Sequence, residues 1–266
     1  MKYLYFVLSS LIIAYAVLII FIYFYQRNLL YHPAENNYQN DKTQFDYEEI
    51  FIKVDEEIQL KSWIIKKDLK KLKTLVIFHG NAGHLSNRIY KLNELYKLDI
   101  NVLLISWRGF SGNKGSPTED NLYADAEASI KWLNKEGVNN NQIILYGESL
   151  GSGVAVEVGK KNNFNSIILE SPFTSIEDSA KIYYPYLPVK LLLKDRYDSM
   201  SKIKMINIPI LIMHGKKDDV IPFSMGKELF EMANNPKHSY FTSEDDHMME
   251  FNSALLEKIK DFIEKY

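Results

Sequence analysis

Hydrophobic and polar residues are distributed along the chain in a pattern that predicts one long apolar helix followed by a globular domain. Residues 3–25 contain no charged side chain, and a helix over them would be about 34 Å long. A membrane anchor over 1–26 is therefore predicted, because the apolar region of a cleaved signal peptide is shorter and is followed by a small-residue cleavage site. The remaining residues, 27–266, are expected to form one domain. Lys2 and Arg27 flank the anchor, so the side of the membrane that holds the domain is not specified.

After the anchor, the hydrophobic pattern predicts an α/β fold. Two segments rich in β-forming residues flank a polar turn at 55–57, which indicates an antiparallel hairpin at one edge of a sheet. The later apolar runs are short and nearly continuous, as in strands buried on both faces, and helical patterns separate them. This order predicts a mostly parallel central sheet with helices on both faces. The predicted strands cover 44–54, 58–65, 75–78, 102–106, 143–146, 167–169, 210–213 and 237–242, and the predicted helices 85–97, 119–135, 150–161, 224–233 and 249–265.

The segment of about 172–205 interrupts this alternation and predicts a small lid. It is long, contains two prolines within its aromatic part, and lies between two predicted strands. An aromatic surface above the carboxyl ends of strands suits an acyl or other apolar group, so Phe173, Tyr183 and Tyr184 are candidate substrate-binding residues. Packing of the lid onto the domain explains the same residues equally well.

The composition limits the partners and the chemistry. A formal charge of −2 over 266 residues argues against a polyanion-binding surface, so no nucleic acid is expected as a partner. The chain contains no cysteine, which removes disulfides, thiolate nucleophiles and thiolate metal sites. The fold must therefore be held by its hydrophobic core, and cysteine usage does not indicate a cellular compartment.

Residues 147–151, Gly-Glu-Ser-Leu-Gly, match the pattern G-x-S-x-G directly after a predicted strand. Glycines on both sides of a serine permit the sharp strand-to-helix turn that exposes a nucleophilic hydroxyl, although an ordinary turn has the same pattern. Ser149 is the candidate nucleophile. The backbone N–H of Leu150, the next residue, is a candidate donor to the oxyanion that forms during acyl transfer.

A serine nucleophile needs an imidazole to accept its proton and a carboxylate to orient that imidazole. Asp218 and Asp219 both follow the predicted strand 210–213, and His247 precedes the last predicted helix. His247 is the candidate base, whereas the spacing alone leaves the choice between the two acids open. His84 lies in a loop near the expected oxyanion site and is a candidate contact to substrate. Structural roles are expected for His32, His79, His214 and His238.

Several blocks of the sequence resemble membrane-tethered α/β-hydrolase-domain serine hydrolases. The similarity extends over nearly all of the chain after the anchor, including the junction at residues 26–33. It implies an α/β-hydrolase fold with a single N-terminal membrane helix. The blocks are 79–83 (His-Gly-Asn-Ala-Gly), 107–117, 170–175 and 195–199.

The resemblance also assigns roles within the site. Residues 215–222 are similar to the G-x-x-D-x-x-I-P pattern in which the first aspartate belongs to the triad, so Asp218 is assigned, and Asp219 is expected to face solvent or to stabilise the loop. The block at 79–83 points to the backbone of Asn81 as the second oxyanion donor. One departure is Asp246, which precedes His247 where many relatives have glycine.

These observations together predict a membrane-anchored serine hydrolase that cleaves carboxylic ester or thioester bonds of an acyl small molecule or lipid through an acyl-enzyme. The triad and the oxyanion donors complete the reaction with water, so no metal or organic cofactor is expected. A serine peptidase of the same fold, similar to an aminopeptidase, is the first alternative. A non-catalytic membrane-tethered binding protein is the second. The acyl length and the oligomeric state are not specified by the sequence.

Overall fold

The computed structural model of the chain describes residues 1–34 and 43–266, and an eight-stranded sheet lies at its centre. Two further strands, each of two residues, pair with one another outside this sheet. In chain order the strands are β1 (His32–Pro33), β2 (Glu48–Lys53), β3 (Gln59–Ile65), β4 (Thr74–Phe78), β5 (Ala82–Gly83), β6 (Asn101–Leu104), β7 (Ile143–Glu148), β8 (Ser166–Glu170), β9 (Ile210–Gly215) and β10 (Lys237–Thr242).

The sheet is mostly parallel, with an antiparallel edge. Its strand order is β10-β9-β8-β7-β4-β6-β3-β2, and the first six strands of that order are parallel. The hairpin β2–β3 pairs antiparallel with β6 and closes one edge. Asp55 stabilises its turn by accepting the N–H groups of Glu57 and Ile58, each at 2.9 Å. The predicted α/β fold with an N-terminal hairpin is therefore confirmed.

Helices cover both faces of the sheet, and each face has its own apolar core. One core includes residues of α3, α4, α7 and α8, and the other includes residues of α2 and α9. The helices are α1 (Lys2–Leu30), α2 (Ile89–Leu95), α3 (Glu119–Lys135), α4 (Leu150–Gly159), α5 (Ile176–Tyr183), α6 (Val189–Leu192), α7 (Ser199–Ile203), α8 (Phe223–Met232) and α9 (Ser253–Lys265).

The closing helix is shorter than the pattern predicts. It begins at Ser253 and not at residue 249, because Asn252 caps it by accepting the N–H of Leu255 at 3.1 Å. Met249 and Phe251 are buried, but they belong to the preceding loop, so their hydrophobicity does not indicate helix. This loop follows β10 and carries His247.

The N-terminal helix α1 has 29 residues and is long and apolar enough to cross a membrane. Its last turn, up to Leu30, contacts the segment predicted as a lid. Gln26 is buried; its side-chain amide donates to the carbonyl of Leu192 at 3.0 Å and accepts the N–H of Lys194 at 2.8 Å. Arg27 forms two hydrogen bonds to Asp195, at 2.8 and 3.1 Å. The apolar part of α1 is therefore followed by a last turn that makes polar contacts with the domain.

The lid segment carries the three short helices α5, α6 and α7 between β8 and β9. Ile203 of α7 lies in one of the two main cores. By contrast, Leu187, Val189 and Leu192 form a separate apolar cluster, against which Ile22 of α1 also packs. Leu187 and the α6 residues Val189 and Leu192 therefore pack against α1, whereas Ile176 of α5 packs against one of the two main cores.

Candidate active site

Ser149 lies at a sharp turn between β7 and α4. Its backbone has φ 49° and ψ −117°, a conformation that is strained for a residue with a side chain. In this turn, other backbone atoms lie very close to the glycines on both sides of the serine. A Cβ on Gly147 would lie 2.5 Å from Cα of Ser152, and a Cβ on Gly151 would lie 1.9 Å from the carbonyl oxygen of Phe78. The two glycines therefore allow the backbone to present Ser149 above the sheet.

The three residues predicted as a triad lie in one hydrogen-bonded line. His247 Nε2 is 3.0 Å from Ser149 Oγ, and His247 Nδ1 is 2.9 Å from Asp218 Oδ2. With the proton on Nδ1, the imidazole donates to the carboxylate and accepts from the serine hydroxyl. This arrangement lets the imidazole take the serine proton as the oxygen attacks.

The structure distinguishes the two adjacent acids. Asp218 is buried, and its Oδ1 accepts the N–H groups of Val220 and Ile221 at 2.9 and 2.7 Å, which leaves Oδ2 for His247. Burial raises the pKa of Asp218, but its hydrogen bonds from two histidines and the backbone outweigh this and hold the pKa well below its usual range. Asp219 is exposed, as expected for the acid outside the triad.

The second of those histidines is His214, for which only an unspecified structural role was predicted. Its Nε2 lies 3.1 Å from Asp218 Oδ2 and 3.0 Å from the carbonyl oxygen of Ile221, so it contacts both the acid and the loop that carries it. Gly226 of α8 packs on the other side of the ring, where a Cβ would lie 2.2 Å from His214 Nδ1. His214 therefore helps to position Asp218. In the sequence, its place four residues before the acid was the one feature that could have indicated this contact.

The loop that carries His247 is held at several points. Ser171 Oγ donates to the carbonyl of His247 at 3.0 Å, and Thr242 Oγ1 donates to Asp245 at 2.8 Å. Asp246, the residue that departs from the pattern of many relatives, accepts the N–H of Met248 at 2.9 Å. Its carboxylate therefore stabilises the turn around the base.

The predicted oxyanion residues Asn81 and Leu150 lie on either side of Ser149. Leu150 is the first residue of α4, where backbone N–H groups have no acceptor within the helix. The backbone of Gly80 passes close to the serine, since a Cβ there would lie 3.4 Å from Ser149 Cβ. The structure thus places the backbone before Asn81 and the start of α4 around the serine, and their role as donors stays a prediction.

The end of α1 contacts the same loop. Asn81 Nδ2 donates to the carbonyl of Leu30 at 2.7 Å, and the carbonyl of Asn81 accepts the N–H of His32 at 2.8 Å. The pairing of β1 with β5 continues this contact along the chain. The junction after the apolar helix therefore positions the candidate oxyanion loop.

A cleft of about 180 Å³ opens beside Ser149. Tyr183 spans from the lid to the acid loop, with its hydroxyl 2.8 Å from the carbonyl oxygen of Asp219 and 2.9 Å from that of Val220. All three of the aromatic residues predicted to bind substrate line this cleft. Its walls are Leu30, Asn81, Ser149, Leu150, Phe173, Ile176, Ser179, Ala180, Tyr183, Tyr184, Val220 and Ile221.

His84, the fourth predicted substrate contact, is placed differently. It precedes the short 3₁₀ turn Leu85–Arg88, and its backbone N–H donates to Asn87 Oδ1 at 2.8 Å. It is not among the residues that line the cleft in the described parts of the chain. His84 is thus placed outside the lining that Phe173, Tyr183 and Tyr184 share.

A buried ionic network that no sequence pattern indicates lies directly beneath the serine turn. Lys91 Nζ contacts Glu148 and Glu170, each at 2.5 Å, and Arg88 contacts Glu148 at 2.7 Å. Burial would raise the pKa of Glu148, but Arg88 and Lys91 hold it well below its usual range. Glu148 Oε1 also accepts the N–H of Gly80 at 3.2 Å, so the network supports both the serine turn and the loop before Asn81.

The pH dependence of hydrolysis is expected to follow His247. Burial lowers the pKa of His247, but the hydrogen bond and charge of Asp218, with the charges of Glu170 and Glu148, raise it above 6.5. Only the neutral imidazole accepts the proton of Ser149, so kcat/KM should fall as the pH decreases through a pKa above 6.5. A pH profile with an uncharged ester measures this value. An acid limb below 6.5, or one that Asp218→Asn does not move downward, would contradict the assignment.

Comparisons with known proteins agree with this geometry. Residues 70–200 match the Hydrolase_4 family model, described as Serine aminopeptidase, S33. The chain is 32% identical over 222 residues to uncharacterized protein Rv2307c of Mycobacterium tuberculosis, covering 82% of this chain and 79% of that protein. It is 32% identical over 197 residues to human alpha/beta hydrolase domain-containing protein 17B, covering 71% of this chain and 66% of that protein. The structure of the Pyrococcus furiosus esterase Pf2001 superposes with a TM-score of 0.72 at 19% identity, covering 89% of this chain and 97% of the esterase chain. The chain therefore belongs to the Hydrolase_4 family of α/β-hydrolases.

Proposed function

We propose that this protein is a membrane-anchored serine hydrolase that cleaves carboxylic ester or thioester bonds of acyl substrates. The observation that carries the proposal is the line from Ser149 Oγ through His247 to Asp218, with distances of 3.0 and 2.9 Å, beside an apolar cleft. Such a line supplies a nucleophile, a base and an orienting carboxylate in the geometry that acyl transfer requires.

In the proposed reaction, Ser149 Oγ attacks the carbonyl carbon while His247 Nε2 takes the hydroxyl proton. Asp218 holds the proton on Nδ1 and stabilises the imidazolium that forms. The backbone N–H groups of Asn81 and Leu150 stabilise the negative oxygen of the tetrahedral intermediate. His247 then gives its proton to the departing alkoxide or thiolate, which leaves an acyl-enzyme on Ser149. Water attacks that ester with His247 again as the base, and the carboxylic acid is released.

Membrane anchoring is supported by α1 and by the surface next to it. The helix is long and apolar enough to span a bilayer, and its last turn makes specific polar contacts with the domain through Gln26 and Arg27. A segment removed as a signal peptide would not need such contacts. Apolar side chains of the adjoining lid are also exposed, including Tyr186 at 62% and Leu191 at 82%. An apolar surface beside the helix suits contact with lipid.

A serine aminopeptidase of the same fold is the second candidate, because the matching family model carries that description. An aminopeptidase has to recognise a cationic amino group close to the scissile bond, and carboxylates are the side chains that do so. The described residues that line the cleft include no Asp or Glu. The apolar walls therefore favour an acyl group over an aminoacyl group.

The proposal predicts that the purified full-length protein in detergent or lipid discs hydrolyses acyl esters and thioesters better than aminoacyl amides. The expected difference in kcat/KM is at least about tenfold, or about 1.4 kcal/mol of transition-state free energy. Parallel assays with p-nitrophenyl esters, acyl thioesters and aminoacyl p-nitroanilides measure it, with Ser149→Ala as the blank. Release of amino acids from the anilides at rates that match ester cleavage would favour the aminopeptidase.

A further inference from the structure

A second cavity, of about 150 Å³, lies between α1 and the lid. One wall is formed by the α1 residues Ile22 and Leu29, and the other by Leu187, Val189 and Leu192 of the lid. These residues are all aliphatic. Its size and lining suit a hydrocarbon chain better than a polar group.

This cavity, named here the anchor groove, shares part of its lining with the catalytic cleft. Leu30, Ile176, Ala180 and Tyr184 line both. A chain whose carbonyl carbon lies at Ser149 would pass these four residues to reach the anchor groove.

Among the described residues that line the anchor groove, Gln26 carries the one amide, and that amide is already satisfied. Gln26 uses its NH₂ group on the carbonyls of Tyr23 and Leu192, at 2.9 and 3.0 Å, and its side-chain oxygen on the N–H of Lys194. It therefore holds the lid against α1 and offers little to a polar ligand. Further along α1, the residues next to the groove belong to the uncharged stretch that is proposed to lie in the bilayer.

We propose that the anchor groove is the acyl-chain site, so that the membrane helix itself forms one wall of the substrate-binding site. This inference rests on the proposed function, because it assigns the groove to the chain of an acyl ester or thioester bound at Ser149. The groove leads away from the serine toward the apolar part of α1. A long-chain lipid substrate can thus keep its chain against α1 and the lid while its carbonyl reaches the serine, which favours long chains held at a membrane over short soluble esters.

The test uses the full-length protein in lipid discs and two fluorophosphonates, one with an ethyl chain and one with a hexadecyl chain that ends in a diazirine. Ser149 Oγ attacks phosphorus, His247 takes the proton, and fluoride leaves as the P–F bond breaks. After illumination, the cross-linked peptides are mapped by mass spectrometry. Cross-links within 22–30 and 187–193 are expected. Cross-links confined to other peptides would overturn the proposal.

A matched pair of variants tests the same site without cross-linking. Val189→Phe fills the anchor groove, whereas Leu191→Phe places the same ring on α6 at a side chain that is 82% exposed. Excluding two methylenes from an apolar site costs about tenfold, so Val189→Phe should lower the ratio of hexadecyl to ethyl labelling rates by about that factor. Leu191→Phe should leave the ratio unchanged.

The outcomes separate this proposal from the function on which it rests. If neither probe reacts with Ser149 in folded protein, the proposed function fails and the acyl-chain site fails with it. If the ethyl probe reacts and the hexadecyl probe does not, or if both variants show the same ratio as the wild type, only the acyl-chain site is wrong. The reaction with the ethyl probe also shows that Val189→Phe is folded.

Discussion

Replacing Ser149 with alanine is expected to lower kcat/KM for acyl-ester hydrolysis by about 10⁴- to 10⁶-fold, because the other members of a triad act only through the nucleophile. The hydroxyl is the group that His247 contacts at 3.0 Å, and alanine leaves the cleft and the turn otherwise intact. Steady-state kinetics on the best ester found in the assays described above measure the loss. Circular dichroism and thermal unfolding show whether the variant is folded.

Ser152→Ala is the matched control for that replacement. Ser152 is the next serine along the chain, is buried in α4, and within the described residues its hydroxyl has no hydrogen-bond partner. Removing an unpaired buried hydroxyl is nearly neutral, so this variant should keep almost full activity. Substantial activity in Ser149→Ala, or an equal loss in the two variants, would remove Ser149 from its assigned role.

Replacing Lys91 with methionine is expected to lower the free energy of unfolding by about 3–5 kcal/mol at neutral pH. Lys91 is fully buried and contacts both Glu148 and Glu170, which are register partners at the ends of β7 and β8. Without the ammonium group, two carboxylates remain close together in the interior. Chemical denaturation at neutral pH measures the loss.

The control for this variant is Lys97→Met, which removes a lysine just beyond the same helix. Lys97 pairs with Glu94 at the surface, where its side chain is 53% exposed, and such pairs contribute less than about 1 kcal/mol. The pH supplies a second check. In Lys91→Met, one carboxyl should have a raised pKa in the folded state, so the folded state binds more protons and the lost stability returns as the pH falls. Equal effects of the two variants would show that the buried network does not stabilise the fold.

The sequence predicted the sheet well because its strands are buried on both faces. Continuous apolar runs, such as the one that forms β4, do not show the 3.6-residue spacing of apolar positions that is typical of a helix. The helical segments between these runs, such as α3, do show it. Helix ends were predicted less well. The closing helix begins at Ser253 and not at residue 249, because the cap at Asn252 fixes its start. Met249 and Phe251 are buried, but they belong to the loop before the helix.

The candidate triad was also visible in the sequence, since its members follow three predicted strands in a fixed order and one of them is flanked by glycines. The structure brings Ser149, His247 and Asp218 together. Sequence spacing does not indicate side-chain direction, however. His84 lies close to the expected oxyanion loop in sequence, but the 3₁₀ turn that follows it leaves the residue outside the cleft lining.

The parts that sequence reasoning missed depend on contacts between distant residues. Lys91 is 57 residues from Glu148 and 79 residues from Glu170, and only the folded sheet shows that one lysine serves both. In the same way, the contact of Leu30 with Asn81 joins the end of the N-terminal helix to the oxyanion loop across 51 residues. A propensity or a short motif carries no signal for such pairs.

The most direct measurement is the reaction of the purified full-length protein with a fluorophosphonate, with the modified residue identified by mass spectrometry. We expect the wild type to be labelled on Ser149, and Ser149→Ala and His247→Ala to lose the label although they remain folded. A folded wild type that stays unlabelled would contradict the account and favour a non-catalytic membrane-tethered binding protein. Labelling at another residue would contradict it as well.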